Sequence, residues 1–101
     1  MDKELLNAFA NPVRLQLLCC LAKGKRNVND LINNCRLSQS AVSQHLHKLR
    51  LAGFVTTQKE GKKVYYSIVH PKSVLLAKQI KELIDEVSAH KKKIRLNKSV
   101  L

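Results

Sequence analysis

The polar residues between Leu37 and Ala52 are mostly short, uncharged hydrogen-bond donors and acceptors. They are Gln39, Ser40, Ser43, Gln44 and His47, followed by the cations Lys48 and Arg50. A merely solvated helix would more often pair Glu with Lys at four-residue spacing, whereas this stretch contains no acidic residue. Side chains of this kind can form hydrogen bonds with base edges in a DNA groove. The alternative is an ordinary amphipathic helix whose polar face meets only water.

Lysines cluster in a second short segment. Lys59, Lys62 and Lys63 flank Glu60 and Gly61, a sequence that favours a tight turn. Cations at such a turn can bind the phosphate backbone while an adjacent helix occupies the major groove. The same lysines could instead protect an exposed sheet edge from pairing with other chains. The sequence leaves both uses open.

The overall charge favours a polyanionic partner. The chain has 19 Lys and Arg against 7 Asp and Glu, a net charge of +12 on 101 residues. Such a field attracts double-stranded DNA and makes binding salt-dependent. Only 4% of the residues are aromatic, so the base-stacking surface of a typical RNA-binding protein is not expected. The scattered acidic residues and the absence of a nucleophile or phosphate-loop motif predict that the protein is not an enzyme.

Three cysteines, an odd number, argue against a disulfide framework and agree with a reducing compartment. The sequence has no run of about eighteen apolar residues, and acidic Asp2 and Glu4 stand where a signal peptide would begin with basic ones. These features predict a cytoplasmic protein that does not enter the membrane.

The polar stretch and the lysines need elements to position them. Apolar residues recur at three- and four-residue steps between Ser38, a good helix N-cap, and Gly53, a helix stop. Residues 54–59 and 63–69 alternate apolar and polar side chains, which predicts a β-hairpin around the Gly61 turn. A helix sized for a DNA groove, followed by a basic hairpin, predicts a winged helix-turn-helix.

Four further helices are expected around this unit. They cover residues 3–10, a second from Asn11-Pro12 to Lys23, a third from Asn27 to Cys35, and a last one opening at His70-Pro71. The predicted fold class is mainly α with a small β-hairpin (α+β), in the order α-α-α-α-β-β-α. We expect one domain over residues 1–101, with a basic, frayed tail from about residue 91 that either contacts DNA or is simply solvated.

The last predicted helix carries an apolar stripe that exceeds what so small a core can cover. We therefore expect a homodimer through the first and last helices, with a purely intramolecular core helix as the alternative. The expected interface residues are Leu5, Leu6, Leu76, Ile80, Leu83, Ile84 and Val87. Two recognition helices about 34 Å apart would then read successive major-groove faces of a palindromic site.

Three segments in the right order resemble the ArsR/SmtB family of bacterial repressors. They are residues 9–18 (FANPVRLQLL), 37–46 (LSQSAVSQHL) and 59–66 (KEGKKVYY), within a similarity over roughly residues 5–87. The resemblance implies a dimeric winged-helix repressor that binds an imperfect inverted repeat in a promoter and is released by an effector. It places Gln39, Ser40, Ser43, Gln44 and His47 in the groove, and Lys62 and Lys63 on phosphates. The alternative is an architectural, weakly specific DNA-binding protein.

The effector sites of this family are mostly missing. Where metal-sensing relatives have a pattern like Cys-Val-Cys-Asp-Leu, this chain has residues 27–31, NVNDL. The positions of the family's zinc site on the last helices are occupied by His70, Lys72, Leu83 and Glu86, of which two cannot coordinate. No metal site or cofactor is therefore expected, and the effector is unknown.

A thiol-reactive or soft-metal effector is a further hypothesis, involving Cys19, Cys20 and Cys35. Cys19 matches one cysteine of a thiol-sensing branch of the family, but that branch has its partner cysteine on the last helix, where this chain has none. Cys35 could meet Cys19 or Cys20 only if the third helix packs closely on the second. The alternative is that each cysteine is a small buried hydrophobe.

Overall fold

The computed structural model describes residues 1–95 in full and, for residues 96–100, only their place in the last helix. The helices are α1 (Lys3–Phe9), α2 (Pro12–Cys20), α3 (Val28–Cys35), α4 (Gln39–Ala52) and α5 (Pro71–Val100), and the strands are β1 (Val55–Glu60) and β2 (Lys63–Ile68). A single 3₁₀ turn, Leu21–Lys23, continues α2. The predicted order of elements is confirmed.

The helix starts follow from capping side chains. Asn11 accepts hydrogen bonds from the backbone N–H groups of Val13 and Arg14, at 3.0 and 3.1 Å. Asn27 and Asp30 form a reciprocal capping box at the start of α3. Ser38 accepts from the N–H of Ala41 at 3.3 Å and begins α4. These side chains satisfy N–H groups that have no partner within the helix.

Two left-handed residues shape the approach to α4 and its end. Arg36, with φ 54°, turns the chain sharply between α3 and α4. Gly53, with φ 88°, ends α4, and its N–H bonds to the carbonyls of Leu49 and Arg50. A side chain at such a φ is strained, so glycine is the residue that can end α4 this way at low cost.

The core lies where α2, α3, α4 and the start of α5 meet. Its fully buried side chains are mostly leucine. The core consists of Leu17, Leu18, Leu21, Leu31, Cys35, Val42, Leu46, Leu49, Val55 and Ala77. Packing of this cluster holds α3 and α4 together as one helix-turn-helix unit.

The hairpin has a third short pairing partner that the sequence did not predict. β1 and β2 pair in antiparallel register from Val55 with Ile68 to Glu60 with Lys63. The segment before α3 joins this sheet through Arg26, which exchanges two backbone hydrogen bonds with Tyr66, at 2.8 and 3.0 Å. The base of the hairpin is therefore tied to the α2–α3 connection.

The prediction for the C-terminal segment was wrong. A frayed tail was expected from about residue 91, whereas α5 continues to Val100. The residues from 88 onward include Ala, Lys, Arg and Leu, which favour helix, and contain neither Gly nor Pro to end it. Lys91, Lys92, Lys93 and Arg95 therefore lie on a helix, and the side chain of Lys98 lies outside the described residues.

Among the described residues, no single helix combines the length and apolarity that a membrane crossing needs. The pair formed by Lys3–Phe9 and Pro12–Lys23, bent by 69°, meets that test only when the two are taken together.

Candidate nucleic-acid interface

The polar face of α4 is open to solvent along its whole length. Its apolar residues Val42, Leu46 and Leu49 are fully buried, so the opposite side must face outward. The predicted DNA-reading residues on this helix are all exposed: Gln39, Ser40, Ser43, Gln44, His47 and Lys48. Because these side chains follow the helical repeat, they form a continuous hydrogen-bonding surface over about two and a half turns. Their contact with bases stays a prediction.

His45 is the one polar residue of α4 that points inward. It is half-buried, and its Nδ1 lies 3.0 Å from Nη1 of Arg14, a residue of α2. Burial lowers the pKa of His45 below its usual value, and the positive charges of Arg14 and Lys48 add to this lowering. His45 is therefore neutral at physiological pH and belongs to the interior rather than to the outer face.

The tip of the hairpin carries the three predicted lysines, all of them exposed. The register places Lys59 opposite Val64 and Lys63 opposite Glu60, while Gly61 and Lys62 form the turn. Because side chains alternate between the two faces of a strand, Lys59 and Lys63 lie on opposite faces of the hairpin. The three cations therefore surround the tip and do not form a single row.

Lys25 is a fourth cation at the hairpin that sequence reasoning missed. Its Nζ forms an ion pair with Glu60 and lies 5.0 Å from the centroid of the Tyr65 ring. Both partners of the ion pair are more than 40% exposed, so it contributes little to stability. Its effect is to offset the carboxylate beside the lysines. The signal was the basic segment Lys25-Arg26 before α3, but only the fold brings it to the hairpin.

The predicted interface residues on α1 and α5 fall into three sets. Leu5, Leu6 and Leu76 line one apolar groove between the two helices. Ile80 and Ile84 line a second groove against α2, which also includes Cys19. Leu83 and Val87 complete the stripe, 56% and 45% exposed. Of the seven residues, only Ile80 is half-buried within its own chain, and the others are left open to a partner.

The structure links two of the three cysteines. Cys20, in α2, and Cys35, at the end of α3, form a disulfide with their Cα atoms 6.6 Å apart, while Cys19 is a free thiol. This bond is one of the two pairings that the sequence left open for Cys35, and it stands against the alternative that Cys20 and Cys35 are isolated small hydrophobes. The condition that α3 packs closely on α2 is met, because Leu31 and Cys35 of α3 are buried against Leu17 and Leu18.

Across the part of the chain whose side chains are described, no three His, Cys, Asp or Glu residues are grouped closely enough to hold a metal ion.

The chain is similar in sequence to known bacterial regulators. The family model of bacterial regulatory proteins of the arsR family matches residues 11–57. The transcriptional activator HlyU of Vibrio cholerae is 48% identical over 64 residues, 63% of this chain and 59% of that protein. The transcriptional repressor PagR of Bacillus anthracis is 43% identical over 72 residues, 70% of this chain and 72% of that protein.

A solved structure extends the similarity to the three-dimensional fold. It is the homodimeric winged helix-turn-helix DNA-binding domain of a possible ArsR-family transcriptional regulator from Mycobacterium bovis. The two chains are 30% identical with a TM-score of 0.67, over 86% of this chain and 81% of the other. The chain spans about half to three fifths of the length of several curated relatives. From the matching model and relatives, the chain belongs to the arsR family of bacterial regulatory proteins.

Proposed function

We propose that this protein is a sequence-specific, DNA-binding transcriptional regulator that represses a promoter by occupying an imperfect inverted repeat. The observation that carries the proposal is the exposed face of α4, which presents Gln39 to Lys48 without a single carboxylate while its apolar side is fully buried. Side chains of this kind form paired hydrogen bonds with base edges in the major groove.

The hairpin supplies the second half of this interface. Lys59, Lys62 and Lys63 would contact phosphates on either side of the tip and fix the position of α4 in the groove. Because phosphates are the same in every sequence, these contacts would add affinity but no preference for one site.

The dimer follows from the exposed apolar stripe of α5. Between Lys81 and Arg95 every residue is exposed, including Leu83, Ile84, Val87 and Ile94. A second copy packed on this stripe and on Leu5 and Leu6 would remove these side chains from water. The homodimeric Mycobacterium bovis domain supports this arrangement.

Footprinting of the DNA upstream of the gene tests the proposal. A repressor should protect one inverted repeat and prefer it to unrelated DNA by at least about a thousandfold at physiological salt. Uniform, salt-sensitive protection would instead indicate an architectural DNA-binding protein. Transcription in vitro from the same fragment decides between repression and activation, since HlyU is an activator and PagR a repressor.

For the effector, Cys20 and Cys35 are the strongest candidates, because the packing of α3 on α2 brings them close enough to form a disulfide. A hydroperoxide would convert the Cys20 or Cys35 thiolate to a sulfenic acid, and the other thiol would then displace water to give the disulfide. Two electrons and two protons pass from the thiols to the peroxide. Since Cys35 directly precedes the Arg36 turn into α4, the bond restrains the helix-turn-helix, and we expect oxidation to release DNA.

Three variants test this effector. Cys20→Ser and Cys35→Ser should each abolish release by hydrogen peroxide, whereas Cys19→Ser, the adjacent free thiol, should release DNA as the wild type does. Mass spectrometry of the oxidised protein should find the Cys20–Cys35 peptide pair. Release that depends on Cys19 alone, or that persists in the double Cys20/Cys35 variant, would contradict the proposal.

A further inference from the structure

Arg14 is a buried cation whose partners are not carboxylates. Only 8% of the residue is exposed, and none of the described carboxylates pairs with it. Its guanidinium donates instead to the backbone carbonyl of Ala8, to that of Asn7 at 2.9 Å and to His45 Nδ1 at 3.0 Å. A charge removed from water without such partners would be costly, so these three contacts account for its burial.

The two carbonyls belong to the C-terminal end of α1. Of the last four carbonyls of this helix, that of Leu6 accepts from Ala10 N–H at 2.8 Å, and that of Phe9 accepts from Asn11 N–H at 2.9 Å. The remaining two, of Asn7 and Ala8, are the ones that Arg14 binds. Arg14 therefore completes the C-terminal cap of α1, where the helix dipole favours a cation.

The third partner belongs to the reading helix. An arginine can only donate, so His45 Nδ1 must accept, and the ring is neutral with its proton on Nε2. His45 lies directly after Gln44 and two residues before His47, both on the exposed face of α4. One side chain of α2 thus holds the end of α1 and the middle of α4.

The connection matters because α1 buries none of its own residues. Apart from packing such as that of Phe9 on Phe54, with ring centroids 5.5 Å apart, its position depends on these hydrogen bonds. α1 carries Leu5 and Leu6 of the proposed dimer interface, and α4 carries the proposed base contacts. In a two-fold dimer, a tilt of α4 relative to α1 changes the separation of the two reading helices.

We infer that Arg14 and His45 form a positioning pair that fixes the recognition helix relative to the dimerisation helix, and so determines operator specificity without touching DNA. The inference rests on the proposed function. Loss of the pair should reduce affinity for the operator by about tenfold, the scale of a hydrogen bond to a charged group. Affinity for unrelated DNA should not change, because the phosphate contacts remain.

Substitutions at His45 test the pair with less risk to the fold than substitutions at the buried Arg14, because the His45 side chain is only partly buried. His45→Asn keeps an acceptor near the position of Nδ1 and cannot be protonated, so it should retain operator affinity. His45→Ala removes the acceptor and should lose about tenfold. Arg14→Lys keeps the charge but lacks the planar guanidinium that donates to three acceptors. Its operator affinity should fall by a similar factor. All variants should remain dimers by sedimentation.

The pH profile separates positioning from a merely structural role. As the pH falls through the lowered pKa of His45, protonation removes the Nδ1 lone pair and places a second cation beside Arg14, so the wild type should lose preference for the operator while His45→Asn keeps it. The charged groups around this site are Arg14 from α2, Lys48 from α4, and Asp2 and Glu4 at the start of α1, which line the groove shared by Arg14 and Lys48. His47→Asn serves as the control for the exposed imidazole.

The outcomes distinguish this inference from the proposed function. A wild-type protein without operator preference at pH 7.5 would defeat the proposed function itself. Preserved preference in His45→Ala and Arg14→Lys, with a normal wild type, would overturn the positioning pair alone. A pH response that disappears in His47→Asn but persists in His45→Asn would likewise assign the effect to direct DNA contact and overturn the inference.

Discussion

The helices α4 and α5 each carry an apolar stripe, but the stripe of α4 is buried within its own chain and most of the stripe of α5 is exposed. In α4 the stripe is buried in its own chain, with Val42, Leu46 and Leu49 at 0% exposure. In α5 only the first turns are covered, and Leu83 and Ile84 remain 56% exposed. The surface left over is therefore largely polar on α4, where Leu51 is the exposed apolar exception, whereas α5 keeps an exposed apolar stripe. Sequence periodicity thus identifies an amphipathic helix, whereas the face that stays uncovered indicates the kind of partner.

The largest expected effect comes from the buried stripe. Leu46→Ala should lower the free energy of unfolding by about 2–5 kcal/mol, because it leaves a cavity among fully buried leucines. Leu83→Ala, on the exposed stripe, should change the stability of the monomer by less than about 0.5 kcal/mol. Urea denaturation at one low protein concentration measures both. Equal losses would mean that the α5 stripe is covered by its own chain.

A charge on the exposed stripe should act on assembly instead. Leu83→Glu should yield monomers in sedimentation and reduce operator affinity by about a hundredfold, since the two reading helices would then bind separately. Ala89→Glu adds the same charge on the opposite side of α5, at an exposed position, and should leave the dimer intact. A dimeric Leu83→Glu protein would exclude this part of the helix as the interface.

The exposed face of α4 should control selectivity. Ser43→Ala or Gln44→Ala should reduce operator affinity by about tenfold and leave binding to unrelated DNA unchanged, because only base contacts are lost. Competition assays with operator and random duplexes give the ratio. An equal loss on both duplexes would place these residues on phosphates.

The hairpin should contribute a smaller, sequence-independent effect. Lys62→Ala or Lys63→Ala should weaken binding to every duplex and lower the slope of log affinity against log salt by about one each. Lys81→Ala removes the same charge from α5 and should leave the slope unchanged. Selective loss of operator binding from the lysine variants would contradict the phosphate assignment.

The smallest effect expected is on stability against pH. Since the pKa of His45 is lowered in the folded state, the unfolded chain takes up the proton first as pH falls below 6.5. Stability is therefore fully present above that pH and declines below it. A thermal denaturation series from pH 7.5 to 5 should show the decline in the wild type and less of it in His45→Asn. The same slope in both proteins would assign it to other groups.

Local signals predicted most of the fold. Asn11-Pro12, Asn27 with Asp30, Ser38 and Gly53 each act within a few residues, and each begins or ends the helix that the sequence indicates. The alternation of the hairpin and its Gly61 turn are local in the same sense. The end of α5 was missed because no capping residue marks it.

The remaining features depend on contacts between distant residues. From the sequence alone, Arg14 is indistinguishable from a surface cation. Only the packing of α1, α2 and α4 shows that it is buried among backbone carbonyls and His45. The disulfide depends on how α3 lies on α2, and the ion pair of Lys25 depends on where the hairpin folds back. Periodicity and charge found the outward face of α4, whereas the inward polar contacts required the fold.

The pairing of Arg26 with Tyr66 has a consequence for the motion of the hairpin. Two backbone hydrogen bonds join its base to a segment forty residues earlier in the chain, so the base cannot open without disturbing the connection between α2 and α3. Its amides should exchange with deuterium slowly, together with the core, while those around Gly61 exchange fast. The base of the hairpin is therefore rigid and its tip is mobile. The lysines at the tip can adjust to the phosphates without disturbing the packing of the helices.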